Sequence, residues 1–148
     1  MKKFLLLLIP IFAADQPGVV VWKAAELKAK DQELAGKMSD KHVASETLAN
    51  FGNHLTMAAH RDGDGEVEVH EKMADVFFIE SGEATLILGG TVVGGHTTAP
   101  NEIRGASING GEKKTLGAGD AVHIPAKVPH QMLAAKKLTY FVVKVEEK

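Results

Sequence analysis

The stretch EVEVHEKMAD, Glu66 to Asp75, sets a carboxylate two residues before a histidine and a second carboxylate five residues after it. Side chains alternate across a strand, so Glu68 and His70 share one face while Val67, Val69 and Glu71 take the other. Asp75 joins them if the chain bends over Lys72 to Ala74, where no strand pattern is evident. Far along the chain, IPAKVPHQM holds His130 directly after Pro129, and two prolines around a polar turn fix the backbone so that His130 can be aimed inward. Three kinds of chemistry suit these residues: metal ligation, acid–base work, or the polar edge of a strand.

The elements that position them are short. From about Thr47 onward the texture is that of strands. TLANF and HLTMAAHR flank Gly52-Asn53, a dipeptide suited to a tight hairpin. DVFFIE and ATLIL read as a second hairpin across Ser81-Gly82-Glu83. TVVGG, EIRGASI, KKTL, DAVHIP and LTYFVVKV complete roughly eight to ten strands broken by Gly-, Pro- and Asn-rich turns, the pattern of a sandwich or barrel. Before them, VWKAAELKAKDQELAGKM predicts a helix with Leu27, Leu34 and Met38 on one face, a Glu26–Lys30 pair, and a stop at Gly36. Ser39 is a candidate N-cap for a second short helix or turn. These pieces are expected to pack on the outside of the main domain.

A chain of 148 residues suits one domain, and 45% apolar with 24% charged residues is a globular composition. A net charge of −2 without a Lys/Arg cluster beyond the first three residues disfavours a nucleic-acid partner. MKKFLLLLIPIFAA has the layout of a secretory signal peptide, two lysines followed by an apolar run too short to span a bilayer permanently. Its removal takes the charge to −4, leaves no membrane segment, and implies a periplasmic or secreted protein. No cysteine is present, so any metal must be held by His, Asp and Glu.

At this level the sequence resembles the cupin superfamily. The family's first motif has a glycine, His-x-His, four residues, Glu, six residues and Gly; here the frame reads Glu68-x-His70, four residues, Asp75, six residues and Gly82. The second has Gly, five residues, Pro-x-Gly, two residues and His; here it is Gly119, five residues, Pro125-x-Lys127, two residues and His130. GDAVHIP is a close match within that frame, and the resemblance covers roughly residues 54–145. Glu68 replaces a histidine, Asp75 a glutamate, Lys127 a glycine and Ala134 the final asparagine, and the glycine ahead of the first motif is off register.

The resemblance implies an all-β cupin barrel (jelly-roll); with the signal-like start and the helical pattern already read, the expected division is 1–14 a signal peptide, 15–50 an N-terminal helical extension and 51–148 the barrel. It also implies that Glu68, His70, Asp75 and His130 project into the barrel to hold a divalent metal ion, and mixed imidazole and carboxylate ligands suit Fe, Mn, Ni or Zn. Because two distant motifs keep their spacing, metal binding is preferred over a purely structural role. The expected function is binding of a divalent metal and a small organic ligand, with enzymatic turnover an open extension. The alternatives are a metal-free binding or sensing module, or an isomerase- or epimerase-type cupin using Glu68 or Asp75 as catalytic base with His130 as partner.

Other residues carry weaker signals. His54 and His60 share the parity of a polar outer face, and His123 points either inward or outward. Residues 83–118 form a long insertion between the motifs, expected as an extra hairpin or lid whose Glu102, Arg104 and His96 either contact substrate or only solubilise a loop. The acidic pair argues mildly against a highly anionic ligand unless metal offsets its charge. LTYFVVKV sets Tyr140, Val142 and Lys144 on one face and Phe141, Val143 and Val145 on the other, and barrels of this family often form homodimers through such sheets.

Overall fold

The computed structural model describes residues 16–148; the signal-like segment 1–14 lies outside them. A helix, α1 (Ala24–Ala35), precedes thirteen strands among the described residues: β1 (Val43–Asn50), β2 (His54–Arg61), β3 (Val67–His70), β4 (Met73–Ser81), β5 (Glu83–Leu88), β6 (Thr91–Val93), β7 (His96–Ala99), β8 (Glu102–Gly105), β9 (Ser107–Asn109), β10 (Glu112–Gly117), β11 (Ala121–Ile124), β12 (His130–Leu133) and β13 (Leu138–Glu146). One sheet runs β1-β2-β13-β4-β11, a second runs β10-β5-β12-β3-β8-β7, and β6 and β9 form a small ribbon.

The first hairpin forms as expected: β1 and β2 pair antiparallel around Gly52, whose φ is +91°. The second does not. Both DVFFIE and ATLIL are strands, but β4 lies in the first sheet and β5 in the second, so the chain crosses between sheets at Gly82. Gly82 has φ +86°, and a Cβ there would fall 2.2 Å from the Lys137 carbonyl oxygen, so only glycine makes the crossing. An apolar alternation with a Gly turn is common to both arrangements, which is why periodicity alone could not separate them.

The strands begin earlier than the sequence predicts. β1 starts at Val43, so a helical extension reaching residue 50 would run into the sheet. No second helix follows Ser39; its hydroxyl donates to the Val43 carbonyl in the turn that enters β1. In α1, Glu26 does not pair with Lys30 but accepts a hydrogen bond from the Lys23 backbone N–H at 2.8 Å, and Lys30 turns to Glu33 and Glu46. The orphan amide at the helix start takes the carboxylate, a stronger use of it than an exposed ion pair.

α1 packs on the outside of the first sheet, burying Leu34 against Ala44 and Ala58. Burying that leucine contributes about 1.5–3 kcal/mol. The main core lies between the sheets, where Leu86, Ile124 and Leu138 are almost wholly excluded from solvent. Among the described residues no helix is long and apolar enough to cross a membrane.

Candidate functional site

Beside that core the barrel keeps a cavity of about 260 Å³, walled by both sheets. Its apolar floor is Phe77, Met132, Tyr140 and Val142, which also belong to the core. β1 adds Val43 and Ser45, a contribution that a helical reading of residues 15–50 had no place for.

The structure brings Glu68, His70, Asp75 and His130 together, and Glu68, Asp75 and His130 line this cavity with His70 directly behind them. Each offers one nitrogen or oxygen, and these atoms lie within 4.8 Å of one another. β3 carries Glu68 and His70, and β12 pairs with β3 so that His130 stands opposite Glu68. Asp75 arrives as the third residue of β4, not on a bend: the chain turns at Glu71 and Lys72 and is a strand again from Met73. Pairing of β4 with β13 across Lys144 and with β11 across Ile124 fixes its direction.

Both histidines present Nε2 to the interior. His130 Nδ1 donates to the Val128 carbonyl at 3.0 Å, and His70 Nδ1 donates to Glu102 Oε2 at 2.7 Å. The His130 Nε2 atom is buried and has no hydrogen-bond partner among the described residues. The turn before it keeps the shape that the second motif needs a glycine for: Lys127 has φ +67°, and its N–H donates to the His70 carbonyl at 2.7 Å. The loss of the glycine therefore leaves the aim of His130 intact.

The carboxylates are ionised by their surroundings. Burial pushes Asp75 up, but the neighbouring His130 and His70 imidazoles and the charge of Lys144 hold it well below the usual carboxylate range. Glu68 is likewise held low, as His70, Arg104 and His130 outweigh burial. A raised pKa, as the catalytic-base reading requires, is thus found at neither residue. For His70 burial works downward, yet the hydrogen bonds to Asp75 and Glu68 lift it to about 9.

Two cations complete the site. Lys144 Nζ lies 2.7 and 3.0 Å from the Asp75 oxygens and 2.9 Å from His70 Nε2. Arg104 Nη1 lies 2.5 Å from Glu68 Oε2. The sequence reading set Lys144 on one face with Tyr140 and Val142, and that parity was the signal that could have placed it here. Arg104 and Glu102 sit on β8, a full strand of the second sheet beside β3, and not on a lid. His96, third of the residues singled out in that insertion, opens β7 and is exposed, its side chain donating to the Gly94 carbonyl at 3.2 Å.

The remaining histidines are structural or peripheral. His60 is on the outer face of the sheet as its parity predicts, but α1 covers it, and Asp31 bridges its Nδ1 at 2.5 Å to the Thr139 hydroxyl at 2.8 Å. His123 is exposed, and His54 stacks on Phe51. The cavity wall is not acidic overall: Glu66, Glu68 and Asp75 face Lys41, Arg61, Arg104 and Lys144.

No protein-family model matches the sequence, and no curated protein matches it significantly. Solved structures do resemble its fold. KdgF from Halomonas sp. aligns with a TM-score of 0.55 at 16% identity, covering 74% of this chain and 84% of that one. A cupin superfamily protein from Desulfitobacterium hafniense gives 0.53 at 16% identity over 74% of this chain and 83% of that one. The chain has the cupin fold. A recombinant oxalate oxidase in complex with glycolate also aligns with this cupin barrel, with a TM-score of 0.52 at 12% identity over 74% of this chain and 54% of that one.

Proposed function

We propose that this cupin-fold protein binds a divalent metal ion through Glu68, His70, Asp75 and His130, and a small organic ligand in the adjoining cavity. The observation that carries the reading is His130 Nε2: a buried nitrogen with no hydrogen-bond partner among the described residues, set beside two ionised carboxylates and a second imidazole. The Val128 carbonyl holds His130 in the tautomer that a metal ligand needs, and Glu102 orients the His70 ring, whose Nε2 proton an incoming ion would displace. A divalent ion there would supply Lewis-acid polarisation of a bound ligand oxygen. Arg104 neutralises Glu68, so the cluster need not carry the full charge of two free carboxylates.

Lys144 favours a second reading, in which the protein is a metal-free binder and the ammonium is its resident cation. It already occupies Asp75 and His70 Nε2 at hydrogen-bond distance. Elemental analysis of untagged protein, with the melting temperature taken before and after chelator, separates the two. Near-stoichiometric metal and a melt lowered by chelator support the first reading; no metal after incubation with Fe, Mn, Ni or Zn, and an unmoved melt, leave the second.

Export belongs to the same proposal and rests on residues 1–14; detection of the full-length chain only in the cytoplasm would refute it. A homodimer is proposed through the outer face of the first sheet, where Phe78 is 45% exposed, although Trp22 covers Phe141 beside it. Light scattering showing a monomer at micromolar concentration would remove that part.

A further inference from the structure

Among the described residues, the cavity wall carries one cation without a counter-charge. Arg61 ends β2 and faces inward with Met57 and Ala59, the alternate positions of the strand. It is 3% exposed, and its Nε and Nη1 are buried with no hydrogen-bond partner among the described residues. The other three cations of the wall are all engaged: Lys41 with Glu66 at 3.0 Å, Arg104 with Glu68 at 2.5 Å, and Lys144 with Asp75 at 2.7 Å. A buried charge left unpaired costs several kcal/mol, so an arginine kept in this state implies a countercharge that arrives from outside the chain.

The position is built and not incidental. Gly65 makes room for the guanidinium, since a Cβ there would lie 2.6 Å from Nη1 and 2.9 Å from Cζ. The Arg61 backbone is pinned on both sides, opposite Val43 of β1 and Leu138 of β13. Tyr140, buried on the neighbouring strand, brings its phenol to the same part of the wall. A planar guanidinium beside a phenol matches a carboxylate, and the nearby Glu68 and Asp75 disfavour a phosphate dianion.

We propose that the cavity ligand is a small organic carboxylate, its carboxylate drawn to Arg61 and its other end directed to the Glu68–His70–Asp75–His130 cluster. The inference rests on the reading above that the cavity takes a small organic ligand. A volume of about 260 Å³ with Met57, Phe77, Met132 and Val142 on its wall limits the ligand to a short, partly apolar body.

Calorimetric titration of the full chain with butyrate and its neutral isostere butyramide tests this, with and without chelator. Wild type should bind butyrate at least about tenfold tighter than butyramide. Arg61→Met should lose that preference through butyrate alone, leaving butyramide unchanged. Equal binding of acid and amide, no butyrate binding up to about 10 mM, or an Arg61→Met protein that keeps the preference would each overturn the proposal. If Arg61→Met does not fold, Arg61→Lys decides: the shorter, non-planar ammonium should reduce the preference at least about threefold, and an unchanged ratio is a refutation. Metal binding lost or absent while the acid–amide preference persists sinks the metal reading alone. Metal retained without the preference sinks this inference alone.

Discussion

Replacing Lys144 with methionine puts the two readings of the cluster in direct opposition. Its ammonium holds two of the contacts that an incoming divalent ion would need, the Asp75 oxygens at 2.7 and 3.0 Å, and stands 2.9 Å from His70 Nε2, in the space the ion would take. Hydrogen bonds to charged groups contribute about 1.5–3 kcal/mol each, and the lysine, its side chain 19% exposed, regains some hydration on leaving. Net displacement then costs about 2–4 kcal/mol, or roughly 30- to 1,000-fold in metal Kd. Lys144→Met removes that competition, so the metal should bind at least about tenfold tighter in competition with a chromophoric chelator. The same change leaves Asp75, 1% exposed, without its ammonium. His70 and His130 remain at 3.1 and 3.5 Å, so the metal-free protein should lose about 2–4 kcal/mol, a fall in Tm on the order of 10 °C. The signature is therefore paired: a weaker metal-free fold and a tighter metal site. A variant that binds metal no better than wild type, or melts unchanged in chelator, refutes the view that Lys144 occupies the ion's place.

Three further outcomes follow from the geometry. Gly82→Ala should destabilise by at least about 3 kcal/mol in urea unfolding, since its Cβ meets the Lys137 carbonyl and its φ is +86°; a loss under 1 kcal/mol would contradict that crossing. Lys127→Gly, by contrast, should stabilise by about 1 kcal/mol because it relieves a left-handed lysine at φ +67°, and a lower Tm would argue against that conformation. In chelator-treated protein, His70 has a folded pKa of about 9 against an ordinary 6.5, so its stabilisation is fully present below pH 6.5 and is lost as pH rises through 9. Unfolding free energy should fall by about 3 kcal/mol across that window from this group, and a slope identical in wild type and His70→Gln would rule it out.

The linear sequence determined the strand-rich class and most of the site. Period-two alternation placed Glu68 beside His70, and the spacing to Asp75 and His130 matched a barrel in which all four converge. It could do so because strand parity is a local property and turn residues mark where it resets. It also set Lys144 on the face of Tyr140 and Val142 without giving a reason for a lysine there. Which strands become neighbours is not local. β4 and β5 look like a hairpin in sequence and join different sheets, and β8 looks like a loop insertion and lies beside β3. Those pairings bring Glu102 and Arg104 to His70 and Glu68, and they set Lys144 against Asp75. The electrostatics changed with them: the pair of carboxylates expected to make an acidic pocket is outnumbered on the cavity wall by cations from β2, β8, β13 and the turn before β1. Arg61 shows the division most plainly. Parity marks it as an inward residue of β2, but its lack of a countercharge among the described residues depends on every strand that surrounds it. Side-chain direction is written in the order of residues, whereas desolvation and charge pairing are decided by what the fold brings within a few ångströms.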